Sequence, residues 1–285
     1  MPRHPLTWLD VFCEAPLQGN QLAVVRDADD LDPGIMLAVA RETGLSETCF
    51  IQSPTAPHAD YRNRIFGQHK ELRFAGHPSL GAAAAVARAR GQHRASFVQQ
   101  THAGLQPIDV VMDADRGWVS MLQEPANMGP ELHRVEALGP AGLRASDGDP
   151  RLPPQVVSTG APQVLAPVRD ATVLARARPD WPAVAALLDA HDATVLYLAA
   201  CDLGAGRARA RAFTRSADAG EDAATGSAAG PLMAYLAARA GLDRLRVEQG
   251  IEMGRPSRLE CEVEGDRVRL AGGVSIVAEG TVLLP

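Results

Sequence analysis

One element occurs twice in this chain, and it limits what the chain can become. Residues 76–91 open with Gly76-His77-Pro78-Ser79-Leu80-Gly81, continue through a series of alanines to Arg90, and stop at Gly91. Residues 226–241 open with Gly226-Ser227-Ala228-Ala229-Gly230 and stop at Gly241. Ala, Leu and Arg favour helix. Side chains this small on nearly every face predict a helix packed closely all round, not one lying on a surface. Each copy is flanked by runs that alternate apolar and polar residues, the strand signature. Two sets of strands, each around one enclosed helix, predict an α+β chain of two similar domains. A length of 285 residues accommodates two domains of ordinary size.

The first half reads as strands at 6–12, 21–25, 45–51, 60–66, 71–74, 95–99, 107–112 and 118–122. Asp32 is placed to cap a short helix with Pro33 at its first position, and Gly44 to end it. The stretch 127–154 is rich in Gly, Pro and Asp and reads as a connector. The second half reads as strands at 155–158, 164–167, 194–200, 207–214, 245–248, 258–263, 267–270 and 275–277, with a helix at 181–191. The expected domains are 1–124, with the C-terminal strand 276–285 as a candidate to complete it, and 125–275.

Composition removes several classes of function. A net charge of −6 argues against a nucleic-acid partner, because that affinity rests on clustered Lys and Arg. In the basic run Arg207, Arg209, Arg211, Arg215, the first three alternate with Ala208, Ala210 and Ala212, which predicts a solvated strand face. No apolar stretch approaches the ~20 residues that span a bilayer. The N-terminus carries nothing that reads as a secretory signal, so a cytoplasmic location is expected. Lys70 is the only lysine and lies in a polar, turn-like setting, which disfavours Schiff-base chemistry. Neither a P-loop nor a GxGxxG motif is present. Cys13, Cys49, Cys201 and Cys261 are dispersed and read as reduced, mostly buried thiols. The histidines show no metal-binding spacing, so no local metal site is expected.

Three titratable residues sit at or beside the helix-opening loops. Glu47 precedes the apolar Phe50-Ile51, so partial desolvation would raise its pKa toward that of a working general acid and base; an ordinary strand-edge glutamate would carry the same pattern. His77, before Pro78, is expected at the helix cap beside amides that attract an anion, or as a simple capping or core histidine. Asp222 precedes Thr225-Gly226-Ser227 and reads either as functional or as a carboxylate bonding local amides. If the halves face one another, the two helix N-termini point at one shared cleft suited to a small anionic metabolite.

The ordered set Asp10-Val11-Phe12, Gly19-Asn20-Gln21-Leu22-Ala23-Val24-Val25, Ser46-Glu47-Thr48, Phe74-Ala75-Gly76-His77-Pro78-Ser79-Leu80-Gly81, Glu221-Asp222 with Thr225-Gly226-Ser227-Ala228, and Met253-Gly254-Arg255-Pro256-Ser257 resembles the PhzF-like phenazine-biosynthesis isomerase family. The resemblance implies the diaminopimelate-epimerase-like fold: two pseudo-symmetric domains, each a sheet wrapped around a central helix, with the active site in the cleft between them. It implies cofactor-independent proton transfer by Glu47, with His77 and Asp222 assisting and orienting, Gly76, Gly226 and Ser227 holding a substrate carboxylate, and a homodimeric assembly. The best-known activity of the family is isomerisation of trans-2,3-dihydro-3-hydroxyanthranilate. Related epimerases and racemases use paired cysteines at the two helix-opening loops, and this chain has none there. An epimerase using Glu47 with Asp222, and a catalytically silent metabolite-binding protein, remain as alternatives. Gln21, Ser79 and Ala223 depart from the family pattern, which bears on the substrate and leaves the proposed catalytic residues in place.

Overall fold

In the computed structural model, which describes residues 1–215 and 220–285, strand β1 (Arg3–Val11) pairs antiparallel with β2 (Asn20–Val25). The turn between them needs a glycine at position 19: φ is +71°, and a Cβ there would lie 2.3 Å from the Val11 carbonyl oxygen. Helix α1 (Pro33–Thr43) starts as read from sequence. Asp32 accepts from the Gly34 N–H at 2.7 Å, Pro33 takes the first turn, and Gly44 at φ +67° ends it. Its buried face, Met36, Val39 and Ala40, packs on Val25, Phe50 and Phe66.

Strand β3 (Glu47–Gln52) runs parallel to β2 and pairs antiparallel with β4 (Tyr61–Gly67), on whose end the short β5 (Glu71–Leu72) is laid. Helix α2 (Gly76–Ala89) follows, buried from Gly76 through Ala87 and packed against β1, β2 and β3. Its approach is close at Gly81, where a Cβ would come within 2.5 Å of Leu22 and 2.9 Å of Val11. Strand β6 (Arg94–Thr101) runs parallel to β4, and β7 (Gly104–Asp113) and β8 (Arg116–Leu122) complete a meander.

The second unit repeats this plan. It opens with β9 (Asn127–Glu131) and α3 (Arg134–Leu138), followed by β10 (Gln155–Ser158) and β11 (Pro162–Val168). Helices α4 (Ala171–Arg176) and α5 (Trp181–Ala190) precede β12 (Leu196–Asp202), β13 (Arg207–Phe213) and the short β14 (Glu221–Asp222). Helix α6 (Gly226–Ala240), buried from Gly226 to Leu236 except at Ser227, precedes β15 (Arg244–Gln249) and β16 (Ser257–Glu264). The stretch read as a connector is part of this unit's core: Leu132, Ala137, Leu138, Ala141 and Leu143 pack with Val173, Leu174 and Leu187. The last strand, β17 (Arg267–Leu283), is continuous where sequence pattern gave two strands. Gly273 lies within it, where a Cβ would come 2.2 Å from the Cys13 carbonyl oxygen. The compact units are Met1–Met121 with Ala271–Pro285, and Leu122–Leu270. Within the first, β17 pairs antiparallel with β1 from Val274 onward.

The duplication extends to register. In the first unit Cys49 pairs with Ile65, and Ile65 with Leu72; in the second Tyr197 pairs with Ala212, and Ala212 with Asp222. One residue along, Phe66 opposes Glu71 and Phe213 opposes Glu221. Both glutamates are gripped by a forked arginine from the adjacent strand. Arg64 donates to Glu71 at 2.7 and 2.6 Å, and Arg211 to Glu221 at 2.8 and 2.7 Å. Each guanidinium also lies over the phenylalanine two residues on, at 5.2 and 4.9 Å. Arg211 therefore departs from the solvated face expected for the basic run. It is 6% exposed and also donates to the Leu174 and Ala177 carbonyls.

Candidate active site

Strand β3 begins at Glu47, and alternation along the strand puts Glu47 and Cys49 on the same side. The Cys49 thiol donates to the Pro78 carbonyl at 3.5 Å, so this side meets the first turn of α2. Glu47 Oε2 lies 3.5 Å from His77 Nε2, with the two side chains 19% and 5% exposed. Among the described residues this buried carboxylate oxygen has no hydrogen-bond partner. Burial pushes the Glu47 carboxyl above its ordinary value, and a hydrogen bond with Ser46 pulls it part of the way back. A carboxyl group so placed holds its proton more tightly than an exposed one, which suits it to act as acid as well as base.

His77 is the second residue of α2, not its cap, which is Ala75. Pro78 follows at the third position, where its missing N–H costs nothing because the first-turn N–H groups have no intrahelical acceptor. On the other edge of the imidazole, Nδ1 lies 3.2 Å from Asn20 Nδ2. Neither central helix carries a side-chain cap bond or an acidic residue in its first turn, so both starts keep the positive end of the dipole unneutralised.

In the second unit Asp222 lies on β14, four residues before the start of α6. The Thr225 hydroxyl donates to Asp222 Oδ2 at 2.6 Å in place of capping the helix. Gln249, fully buried at the end of β15, ties this loop together. Its Nε2 donates to the Asp222 carbonyl at 2.7 Å and lies 2.9 Å from Thr225 Oγ1. Its Oε1 accepts from the Thr225 N–H at 3.2 Å and from the buried Tyr197 hydroxyl at 2.9 Å. The Gly226 carbonyl accepts from Gln123 Nε2 at 3.0 Å, and the Gln123 side chain lies so close over Gly230 that no Cβ would fit there.

Of the residues singled out from sequence, Glu47, His77 and Gly76 are thus brought together in the first unit, and Asp222, Gly226 and Ser227 gather at the start of α6 in the second. Gln249 and Tyr197 were not singled out, and Asn20 and Ser46 only as parts of motifs. Gln249 falls on the inward side of β15 with Leu245 and Val247, and a polar residue in that alternation is the signal that marks one of them. Among the described residues no group of three or more His, Cys, Asp and Glu side chains is placed to hold a metal ion, and no helix is long and apolar enough to cross a membrane.

Comparison with known proteins identifies the family and the fold. The family model described as phenazine biosynthesis-like protein, PhzC-PhzF, matches residues 9–280. A trans-2,3-dihydro-3-hydroxyanthranilate isomerase of Pseudomonas aeruginosa is 35% identical, with 99% of this chain and 100% of that protein covered. A solved structure from P. aeruginosa, described as a predicted epimerase, superposes with a TM-score of 0.87 at 35% identity, covering 98% of this chain and 99% of the other. A probable proline racemase of Agrobacterium radiobacter, with a TM-score of 0.70 at 11% identity over 99% and 93% of the two chains, shares the fold alone. With the ordered motifs, the doubled strand-and-helix frame and matches over nearly the full length in agreement, the chain belongs to the phenazine biosynthesis-like (PhzC-PhzF) family of isomerases, with its two-domain, diaminopimelate-epimerase-like fold.

Proposed function

We propose that this chain is a cofactor-independent isomerase that moves a proton, and with it a double bond, on a small carboxylate-bearing metabolite such as trans-2,3-dihydro-3-hydroxyanthranilate. The observation that carries the reading is the Glu47 carboxylate, largely enclosed, raised in pKa by burial, and set 3.5 Å from His77. Glu47 takes a carbon-bound proton and returns it to another carbon of the same conjugated system. His77 turns its Nε2 edge toward the carboxylate at 3.5 Å and orients a substrate polar group. Asp222 receives an N–H or O–H of the substrate. The amides of Gly76, Gly226 and Ser227 bind its carboxylate with the help of the helix dipoles.

The register of the two units favours a single base over a two-base racemase. Cys49 corresponds to Tyr197, so the position in the second unit that corresponds to Glu47 is Val195. Asp222 in turn corresponds to Leu72, so the two carboxylates are not equivalent partners. An NMR assay in D₂O with trans-2,3-dihydro-3-hydroxyanthranilate, run beside Glu47→Gln, tests the proposal. Deuterium uptake with a shifted double bond in the wild type alone supports it. Unchanged constitution with inverted configuration would replace it by an epimerase, and binding without exchange by a silent binding protein. The family resemblance also carries a homodimer in the cytoplasm; light scattering that finds only a 30.1 kDa species would remove the dimer.

A further inference from the structure

We infer that Asn20 is a positioning residue that holds His77 as the Nε2–H imidazole, so that His77 donates toward Glu47 and is closed as an acceptor of its proton. The inference rests on the reading of Glu47 as the base. It gives a role to the Gly19-Asn20 motif, which the proposed reaction otherwise leaves unused.

The turn places Asn20 before its side chain makes any contact. Gly19 passes so close to the Val11 carbonyl that only glycine fits, and Asn20 then pairs with Val11 as the first residue of β2. From there its amide nitrogen reaches His77 Nδ1 at 3.2 Å, with both side chains buried. An amide –NH₂ can only donate, so Nδ1 must present its lone pair, and a neutral imidazole with a lone pair at Nδ1 carries its proton at Nε2. Nε2 is the nitrogen that faces Glu47 Oε2 at 3.5 Å. An N–H opposite a carboxylate is attractive, and a lone pair there is repulsive. For a neutral imidazole beside an ionised Glu47, the amide orientation with nitrogen toward the ring therefore agrees with both edges, whereas the flipped amide would satisfy one edge and set two acceptors against each other at the other.

The consequence is a route for one proton. When the substrate C–H bond breaks, its proton forms an O–H on Glu47. Passing it to His77 would need a second N–H on the ring, and Nδ1–H would then point at the amide N–H of Asn20, donor against donor. The proton stays on the Glu47 oxygen until the new C–H bond forms and the O–H breaks, while the His77 Nε2–H bond remains intact throughout.

The test reads the ring directly and does not depend on turnover. In the full chain labelled with ¹⁵N-histidine, with the His77 signals identified by their loss in His77→Gln, long-range ¹H–¹⁵N spectra should show protonated Nε2 and unprotonated Nδ1. Asn20→Asp puts an acceptor where the donor was and should move the proton to Nδ1. With Nε2 then able to trap the proton from Glu47, kcat should fall on the order of tenfold or more with little change in KM. Asn20→Ala should give a mixture of tautomers. A wild-type ring protonated at Nδ1 overturns the inference, as do unchanged ring signals in Asn20→Asp. If that variant does not fold, the wild-type and Asn20→Ala spectra decide. Should the ring behave as stated while Glu47→Gln still turns over, the assignment of the base fails and the tautomer control by Asn20 stands.

Discussion

Replacing Gln249 by leucine removes the side chain that fixes the Asp222 loop, at nearly constant volume, so the loss is one of hydrogen bonds more than of packing. The Gln249 amide serves four partners: the Tyr197 hydroxyl, the Thr225 N–H, the Asp222 carbonyl and Thr225 Oγ1. The Asp222 carbonyl belongs to a half-buried residue where water can replace the lost donor, and the Thr225 hydroxyl keeps Asp222 Oδ2 as its acceptor. The Tyr197 hydroxyl and the Thr225 N–H, in residues 0% and 6% exposed, are stranded. At about 1–3 kcal/mol for each stranded donor, the variant loses about 2–6 kcal/mol. That is a large share of a total of about 5–15 kcal/mol. Urea melts followed by circular dichroism, together with the fluorescence of Trp181, which lies in the same unit against Phe213, measure it. Tyr197→Phe, which leaves the rest of the bonding in place, should lose only about 1 kcal/mol. Gln249→Glu keeps the acceptor but sets oxygen against the Asp222 carbonyl unless it is protonated, so its stability should decline as pH rises. A loss below about 1 kcal/mol in Gln249→Leu, or an equal loss in Tyr197→Phe, would refute the reasoning.

Glu47 links activity to stability. Burial raises its pKa in the folded chain, so the folded state holds this proton more tightly than the unfolded one; the associated stability is complete below the ordinary value of 4.5 and is lost as pH rises through the folded value. Glu47→Gln should therefore be more stable than the wild type at pH 8, with the gap closing near pH 4, while turnover falls by about 10²–10⁴; thermal melts that stay parallel across that range count against it. Glu221→Leu leaves the Arg211 guanidinium buried without its carboxylate and should cost about 3–5 kcal/mol, whereas adding Arg211→Met should restore most of it. Equal losses in the single and double variants would show that the forked pair is not what matters there.

Much of the frame was legible because it rests on local rules. The paired helix-opening glycines, the Asp32-Pro33 start, the Gly44 stop and the strand that begins near Glu47 each follow from backbone conformation or side-chain size. What was not legible depends on contacts distant in sequence. Arg211 alternates with alanines as a solvated residue would, but its burial is set by Glu221 on the next strand and by the carbonyls that end α4. The stretch 127–154 is locally turn-like, yet its leucines are claimed by α4 and α5. His77 was placed at the cap because Pro78 is welcome at a first helical position, but the third position suits proline equally well. Asn20 and Gln249 bond across the fold to His77 and Thr225, which no spacing along the chain can display.

The mismatch between the two halves, in which Glu47 corresponds to Val195 and Leu72 to Asp222, also bears on stereochemistry. A lone carboxylate addresses one face of a planar conjugated system, so the hydrogen it removes and the hydrogen it restores occupy that same face. With Glu47 as the proposed base, the migration is expected to be suprafacial, and the configuration of a new stereocentre to follow from which face the bound molecule turns toward β3, independent of how many solvent protons exchange with Glu47 on the way.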